Sequence, residues 1–391
     1  MLVFPCCFRE RFGILTMFAL LVGILSSHTA VASDSITLPP MFDRDDLLQA
    51  AHVKPSYNDV QLQLGGIMAR SNNIGSLWEM SEDGQPPRTF EGGSAYALLQ
   101  NTEWMRISNG DWCIGYGRGS RDSYNGNADA AQLWIDLHAD GATKQAYAPT
   151  VSSESISASW YGVGRTVAFR ADNMSGTMDI WLRQIVADDY LGRSIAGRAV
   201  TSPSESFSGM LRIVSAVTSA SRVEGRGWSL DAQTVLHFGE NWECGLIAEG
   251  LLGKMRWNGL GVRDGYFNSP GVFTDRDGFL RDYGGITGSA WREDMTLSLN
   301  PRYRIEVIRL GNPSITLAYD YQAGARPVPS LGITSSQSEK WSPYVRYYPT
   351  QSRVELGAVA ANWRFRISSD DWPTDSPKNV EVAFAASVVR F

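Results

Sequence analysis

The residues best placed to do chemistry are arginines and carboxylates recurring at alternate positions in the last third of the chain: Arg302, Arg304, Glu306, Asp320, Arg346, Glu355, Arg364 and Arg366, with Glu381 and Arg390 beyond them. Guanidinium groups stay charged and hydrated, and they pair with carboxylates on neighbouring strands. If these side chains share the wall of a water-filled lumen, six arginines against four acids focus a positive field and draw anionic solutes in. The alternative is a set of cross-strand ion pairs that fills a narrow interior and leaves no pore.

Acid–base chemistry has less to work with. Beyond the first thirty or so residues the histidines are His52, His138 and His237. His138 stands in Trp134-Ile-Asp-Leu-His-Ala-Asp140, where an extended chain would put it on one face with Asp136 and Asp140. No nucleophile can be singled out beside it, and a solvated or core histidine is the plainer reading. HExxH, CxxC, GxSxG and Walker patterns are absent. Asp275-Arg-Asp277-Gly278 begins like a calcium loop but lacks the later acidic ligands. Cys113 and Cys244 are too few for a disulfide framework, and whether they pair is open. No catalytic residue, metal or cofactor is assigned.

The elements that must position the charged set are strands. Ile315, Leu317, Tyr319 and Tyr321 alternate with Ser314, Thr316, Ala318 and Asp320; Tyr303, Ile305 and Val307 alternate with Arg302, Arg304 and Glu306. Met295, Leu297 and Leu299 alternate with Thr296, Ser298 and Asn300. Turns at Pro301 and at Gly311-Asn312-Pro313 make these three an antiparallel meander. The pattern continues through Trp341–Tyr348 and 353–368, where parity changes and predicts a bulge or tight turn near Ala361-Asn362. Upstream it recurs around Met178–Leu182, Phe207–Ile213 and Cys244–Leu252. Residues 118–129 and 258–285, rich in Gly, Asp and Asn, read as long surface loops. Only 43–52 reads as a short helix.

The N-terminus carries Arg9 and Arg11, an apolar run over 12–25 and Ala30-Val31-Ala32, the pattern of a secretory signal cut after Ala32. No later run of 18 or more apolar residues exists, so a membrane-spanning form must be a closed barrel. Composition agrees. The 391 residues are 43% hydrophobic, carry a net charge of -6 and include 38 glycines. That excludes a disordered tail and a nucleic-acid binder driven by bulk charge. Aromatics at Trp257, Tyr344, Tyr347, Tyr348, Trp363 and Trp372 fall near strand ends, where interfacial girdles lie.

The chain ends in Asn379-Val-Glu-Val-Ala-Phe-Ala-Ala-Ser-Val-Val-Arg-Phe391. With apolar Val389 two positions before the terminal aromatic Phe391, it resembles the outer-membrane β-barrel proteins of Gram-negative bacteria. The resemblance implies that Phe391 and Val389 form a signal read by the barrel assembly machinery, with outer-membrane lipid as the surroundings.

The expectation is therefore an all-β protein: a closed antiparallel transmembrane β-barrel of about 14 strands, range 12 to 16, in the cell outer membrane. Residues 1–32 are read as signal peptide, 33–57 as an N-terminal extension or small plug, and 58–391 as the barrel. The expected role is non-enzymatic: a porin-like channel or transporter for small polar, including anionic, solutes, lined by the eight charged residues named first. A closed barrel serving as envelope scaffold or secretion component, and an outer-membrane hydrolase, are the alternatives.

Overall fold

Alternating side chains give each strand two unlike faces, and the chain satisfies both by closing one sheet on itself. The computed structural model describes residues 35–40, 60–74, 90, 92–138, 146–171, 173–200, 206–217, 222–269, 272–274, 280–282, 286–322, 327–335, 341–360, 362–370 and 377–389. A two-residue strand β1 (Ser35–Ile36) comes first. The wall then runs through β2 (Gln61–Asn72), β3 (Ser94–Asn109), β4 (Trp112–Asn127), β6 (Thr150–Ala171) and β7 (Met174–Val200). It continues through β8 (Ser206–Ser215), β9 (Gly225–Phe238), β10 (Trp242–Glu249), β11 (Lys254–Ser269), β14 (Ile286–Leu299) and β15 (Arg302–Arg309). It ends with β16 (Ser314–Gln322), β17 (Val328–Thr334), β18 (Trp341–Tyr348), β19 (Arg353–Ala360), β20 (Trp363–Ser369) and β21 (Asn379–Val389). Short β5 (Ala146–Tyr147) and the hairpin β12 (Val272–Thr274) with β13 (Leu280–Asp282) sit among the connections.

Antiparallel pairing of β2 with β21, Gln61 opposite Val389, closes the ring. Three pairs of segments lie end to end. β8 and β9 both pair with β7, β10 and β11 both pair with β9, and β14 and β15 pair with β11 and β10 respectively. Joining each pair leaves fourteen staves of alternating direction among the described residues, inside the expected range. Pro301 is therefore no hairpin turn: β14 and β15 form one interrupted stave, and the meander begins only at Gly311–Pro313. The break expected near Ala361-Asn362 falls between the antiparallel partners β19 and β20, with Ala361 itself outside the described residues.

The outer face carries Leu64, Ile114, Leu182, Leu317, Leu331, Val345, Leu356, Phe365 and Phe384, all exposed. An apolar exterior on a closed barrel is the construction of an outer-membrane protein, with backbone polar groups paired inside the wall. The inward face holds large aromatics lying over glycines. A Cβ on Gly65 would stand 2.4 Å from the Trp104 ring, one on Gly117 2.5 Å from Trp160, and one on Gly225 2.2 Å from Trp257. Trp257, Tyr344 and Tyr348 thus face the interior and are buried, contrary to the girdle expected of them. Tyr347 and Trp363 do face outward, and Trp372 lies outside the described residues.

The wall is taller on one side. β6 and β7 have 22 and 27 residues, whereas β17 and β18 have 7 and 8. About 10 tilted residues cross the apolar band of a bilayer, so the tall side projects beyond it. Residues 118–127 and 258–269, read above as loops, are strand in this projection. Water on both faces removes the apolar alternation by which a strand is recognised. The chain leaves β4 for β6 and β11 for β14 at this end, the outside by the usual arrangement of short periplasmic turns.

Candidate functional site

The eight charged residues named from the sequence all have inward parity, and the structure joins most of them. Arg304 reaches Glu306 at 3.0 Å and also pairs with Asp320; Arg346 reaches Glu306 at 2.8 Å and Glu355 at 3.5 Å. Arg366 and Arg353 share Glu381 at 2.8 and 3.3 Å. Arg302 bonds Glu249 at 3.1 Å, and Arg364 lies 5.5 Å from the centre of the Trp104 ring. Glu249, on a strand read from the sequence but not counted in the charged set, and Arg353 join it, so its described members number six guanidiniums and five carboxylates. Arg390 lies outside the described residues. Arg304, Glu306, Arg346, Glu355, Arg364 and Arg366 are buried. A buried set this nearly balanced leaves little unpaired positive field to attract anions.

A second site lies higher in the lumen. The stave breaks fall at one level on adjacent staves: 216–224 between β8 and β9, 250–253 between β10 and β11, and Asn300-Pro301 between β14 and β15. A register shift in β11 between Trp257 and Leu260 lies close by. Gly250 at φ +70° and Gly259 at φ +82° supply the left-handed conformation these breaks demand. The β8–β9 and β14–β15 breaks and the β11 register shift switch parity, and Met255, Trp257, Leu260, Val262, Leu297 and Leu299 face inward as one buried apolar cluster. The apolar set of β14 therefore faces the lumen, while that of β16 faces lipid.

Into this cluster runs an N-terminal strap. β1 adds parallel to the edge of β14, Ser35 opposite Ser298 and Ile36 opposite Leu299, just above the end of β16. Ile36 is fully buried. Asn300 donates its backbone N–H to Ile36 O at 2.8 Å and its side-chain amide to Thr37 Oγ1 at 2.9 Å. Thr37 N–H donates to the Glu154 carboxylate at 3.0 Å, and Pro39 packs against Gly119 on the facing wall. Residues 35–40 thus cross the lumen from β14 to β4 and β6. The expected helix at 43–52 and the signal segment lie outside the described residues.

Above the strap opens a cavity of about 1010 Å3 on the concave side of the tall wall. Ser94, Asn125, Thr150, Ser152, Ser194 and Ser289 give it a neutral hydroxyl and amide rim; Met210 and Tyr266 add apolar surface; Arg212 and Asp264 pair at 3.3 Å. Lower on these staves the inward residues Tyr190, Val214 and Val262 belong to the apolar cluster. Sequence reasoning missed this cavity because strands wet on both faces were read as loops.

The histidine reading does not hold. Residues 128–138 are an α-helix, where Asp136 and His138 project about 200° apart instead of sharing a face. Asp136 is buried and accepts from Gln132 at 2.7 Å and from Tyr147. His237 Nδ1 lies 3.2 Å from Glu243 at the short-turn end, and Ser175 on β7 is its cross-strand partner. Cys113 faces inward and Cys244 outward, and both are free thiols. Among the described residues no group of three or more His, Cys, Asp or Glu could hold a metal. Asp275–Gly278, His52 and Phe391 fall outside them, as does the side chain of Val389.

No family model matches the chain, and no curated protein matches it. Among solved structures it is similar to a deltaS2S3 mutant of the TodX monoaromatic hydrocarbon channel, at 10% identity and TM-score 0.43, covering 94% of this chain and 98% of that one. A Pseudomonas aeruginosa FadL homologue matches at 10% identity and TM-score 0.37, covering 85% and 89%. The translocator domain of the Neisseria meningitidis autotransporter NalP matches at 9% and 0.27, covering 89% and 93%. Neither identity nor overlap is high enough to carry a function across.

Proposed function

We propose that this barrel is an outer-membrane transporter for small, uncharged amphipathic or apolar solutes, held closed at rest by its N-terminal strap. The reading rests on the cavity above the strap: a neutral hydroxylated rim over an apolar floor suits a molecule with one polar end and a hydrocarbon body. Burial of that body drives binding, while serines and asparagines hold the polar end. Anionic solutes fit less well, because Arg302, Arg304, Arg346, Arg353 and Arg366 are already engaged by carboxylates. Of the two readings of residues 33–57, extension or small plug, the path of 35–40 across the lumen supports the plug.

Passage requires the strap to move. It is held by a two-residue parallel ladder and a few side-chain bonds, each contributing about 1 kcal/mol, with more for the bond to Glu154. A solute inserting beside Ile36 could displace it far more easily than it could break the wall. The test is calorimetric titration of the detergent-solubilised barrel with 2-phenylethanol and, separately, benzoate. The neutral alcohol is expected to bind, with affinity falling about tenfold or more in Met210→Arg, which places a charge in the cavity. Binding of benzoate alone would overturn the reading.

A further inference from the structure

Above the apolar belt, the outward face of the tall wall carries an unusual set of cations. Arg226 on β9 and Arg256 on β11 are direct cross-strand partners, like charges in the position where such pairs repel. Lys254 stands one outward position below Arg256, opposite Trp228, and exposed Arg263 lies further up the same stave. Arg226 is 74% exposed and pairs with Glu224 at 2.9 Å; Arg256 donates to Asn258 at 3.1 Å. Asp294 adds one more acid on outward β14. Cations remain in excess, and their height is specific. Going up β9 the outward residues are Phe238, Leu236, Thr234, Ala232, Leu230 and Trp228, then Arg226. Trp228 marks the interface, as girdle aromatics do, and ten residues below it match the apolar thickness of an outer membrane. Exposed Leu252 lies directly beneath Lys254 and Arg256.

We propose that this patch binds the phosphorylated headgroup of an outer-leaflet glycolipid, whose acyl chains lie against Trp228, Leu252 and Leu230. Lipid already covers the belt below, so the nearest occupant is a lipid. The paired arginines call for an anion bearing more than one charge, which phosphate on a sugar headgroup supplies. The site faces away from the lumen and is independent of solute transport.

The test uses the full barrel in detergent, with native mass spectrometry reading adducts of bisphosphorylated lipid A, the same lipid dephosphorylated, and inorganic phosphate as competitor. The bisphosphorylated lipid should be retained. A triple variant, Arg226→Ser with Lys254→Ser and Arg256→Ser, should weaken binding about 100-fold, each cation contributing roughly a factor of five. Arg256→Gln alone should give about fivefold and serves if the triple variant does not fold. A control pair at the short-turn end, Arg165→Ser with Arg309→Ser, should leave binding unchanged. Equal binding by the triple variant, equal binding of the dephosphorylated lipid, or displacement by millimolar phosphate would each overturn the proposal.

Discussion

The backbone N–H of Thr37 donates to the carboxylate of Glu154 at 3.0 Å, joining the N-terminal strap to a wall strand 117 positions further along the chain. A hydrogen bond to a charged group is worth about 1.5–3 kcal/mol, so this contact contributes strongly to strap retention. Glu154→Ala should increase strap release by a factor of ten or more, read as faster labelling of Ile36→Cys by a water-soluble maleimide. Equal labelling rates would remove Glu154 from the latch.

Two ion pairs differ in burial and should differ in energetic weight. Arg183 holds Asp231 through Nε at 2.5 Å and Nη2 at 2.8 Å, both side chains nearly inaccessible, and Gly250 N–H adds a bond to Asp231 at 2.6 Å. Asp231→Ala strands a buried guanidinium and should destabilise the barrel by about 3–5 kcal/mol. The half-exposed Arg212–Asp264 pair should lose less than about 1 kcal/mol in Asp264→Ala. Urea unfolding in detergent, followed by tryptophan fluorescence, separates the two.

Inward tryptophans need bare backbone opposite them. Gly117→Val should cost about 1–3 kcal/mol, because its Cβ would meet the Trp160 indole at 2.5 Å. Gly93→Ala, with nothing within 4 Å, should be close to neutral. The temperature at which the heat-modifiable gel band converts would rank the two, and equal temperatures would refute the packing account.

A new charge should cost most where the wall faces lipid and little at the wet rim of the cavity. Leu317→Arg, placed in the apolar belt on β16, should cost about 2–4 kcal/mol in the membrane, whereas Ser289→Arg at the cavity rim should cost far less. Folding yield into lipid vesicles reads the difference.

How much of this was legible in the sequence depends on what each strand touches. β16, β18, β19 and β20 could be read nearly to the residue because lipid on one side and a polar interior on the other enforce a period of two. β4 and β11 rise above the membrane with water on both faces, so Arg118–Asn127 and Asn258–Ser269 carried loop composition inside strands. Pro301 looked like a turn because a parity-switching break and a hairpin use the same residue types; only the partners of β14 and β15 tell them apart. The inward charged set was found by parity, but its closeness to neutrality was not, since Glu249 lies 53 residues before its partner Arg302. Residues 35–40 gave no local sign of crossing the lumen, because their partners Asn300 and Glu154 are distant in sequence.

The central claim, a transport barrel closed by its own N-terminal strap, is tested most directly by conductance in planar bilayers of the intact barrel and of a deletion lacking residues 35–57. The intact barrel should show a quiet baseline, and the deletion should conduct in steady or flickering steps. A large steady conductance in the intact protein, or a deletion variant that folds into the bilayer and stays silent, would contradict it.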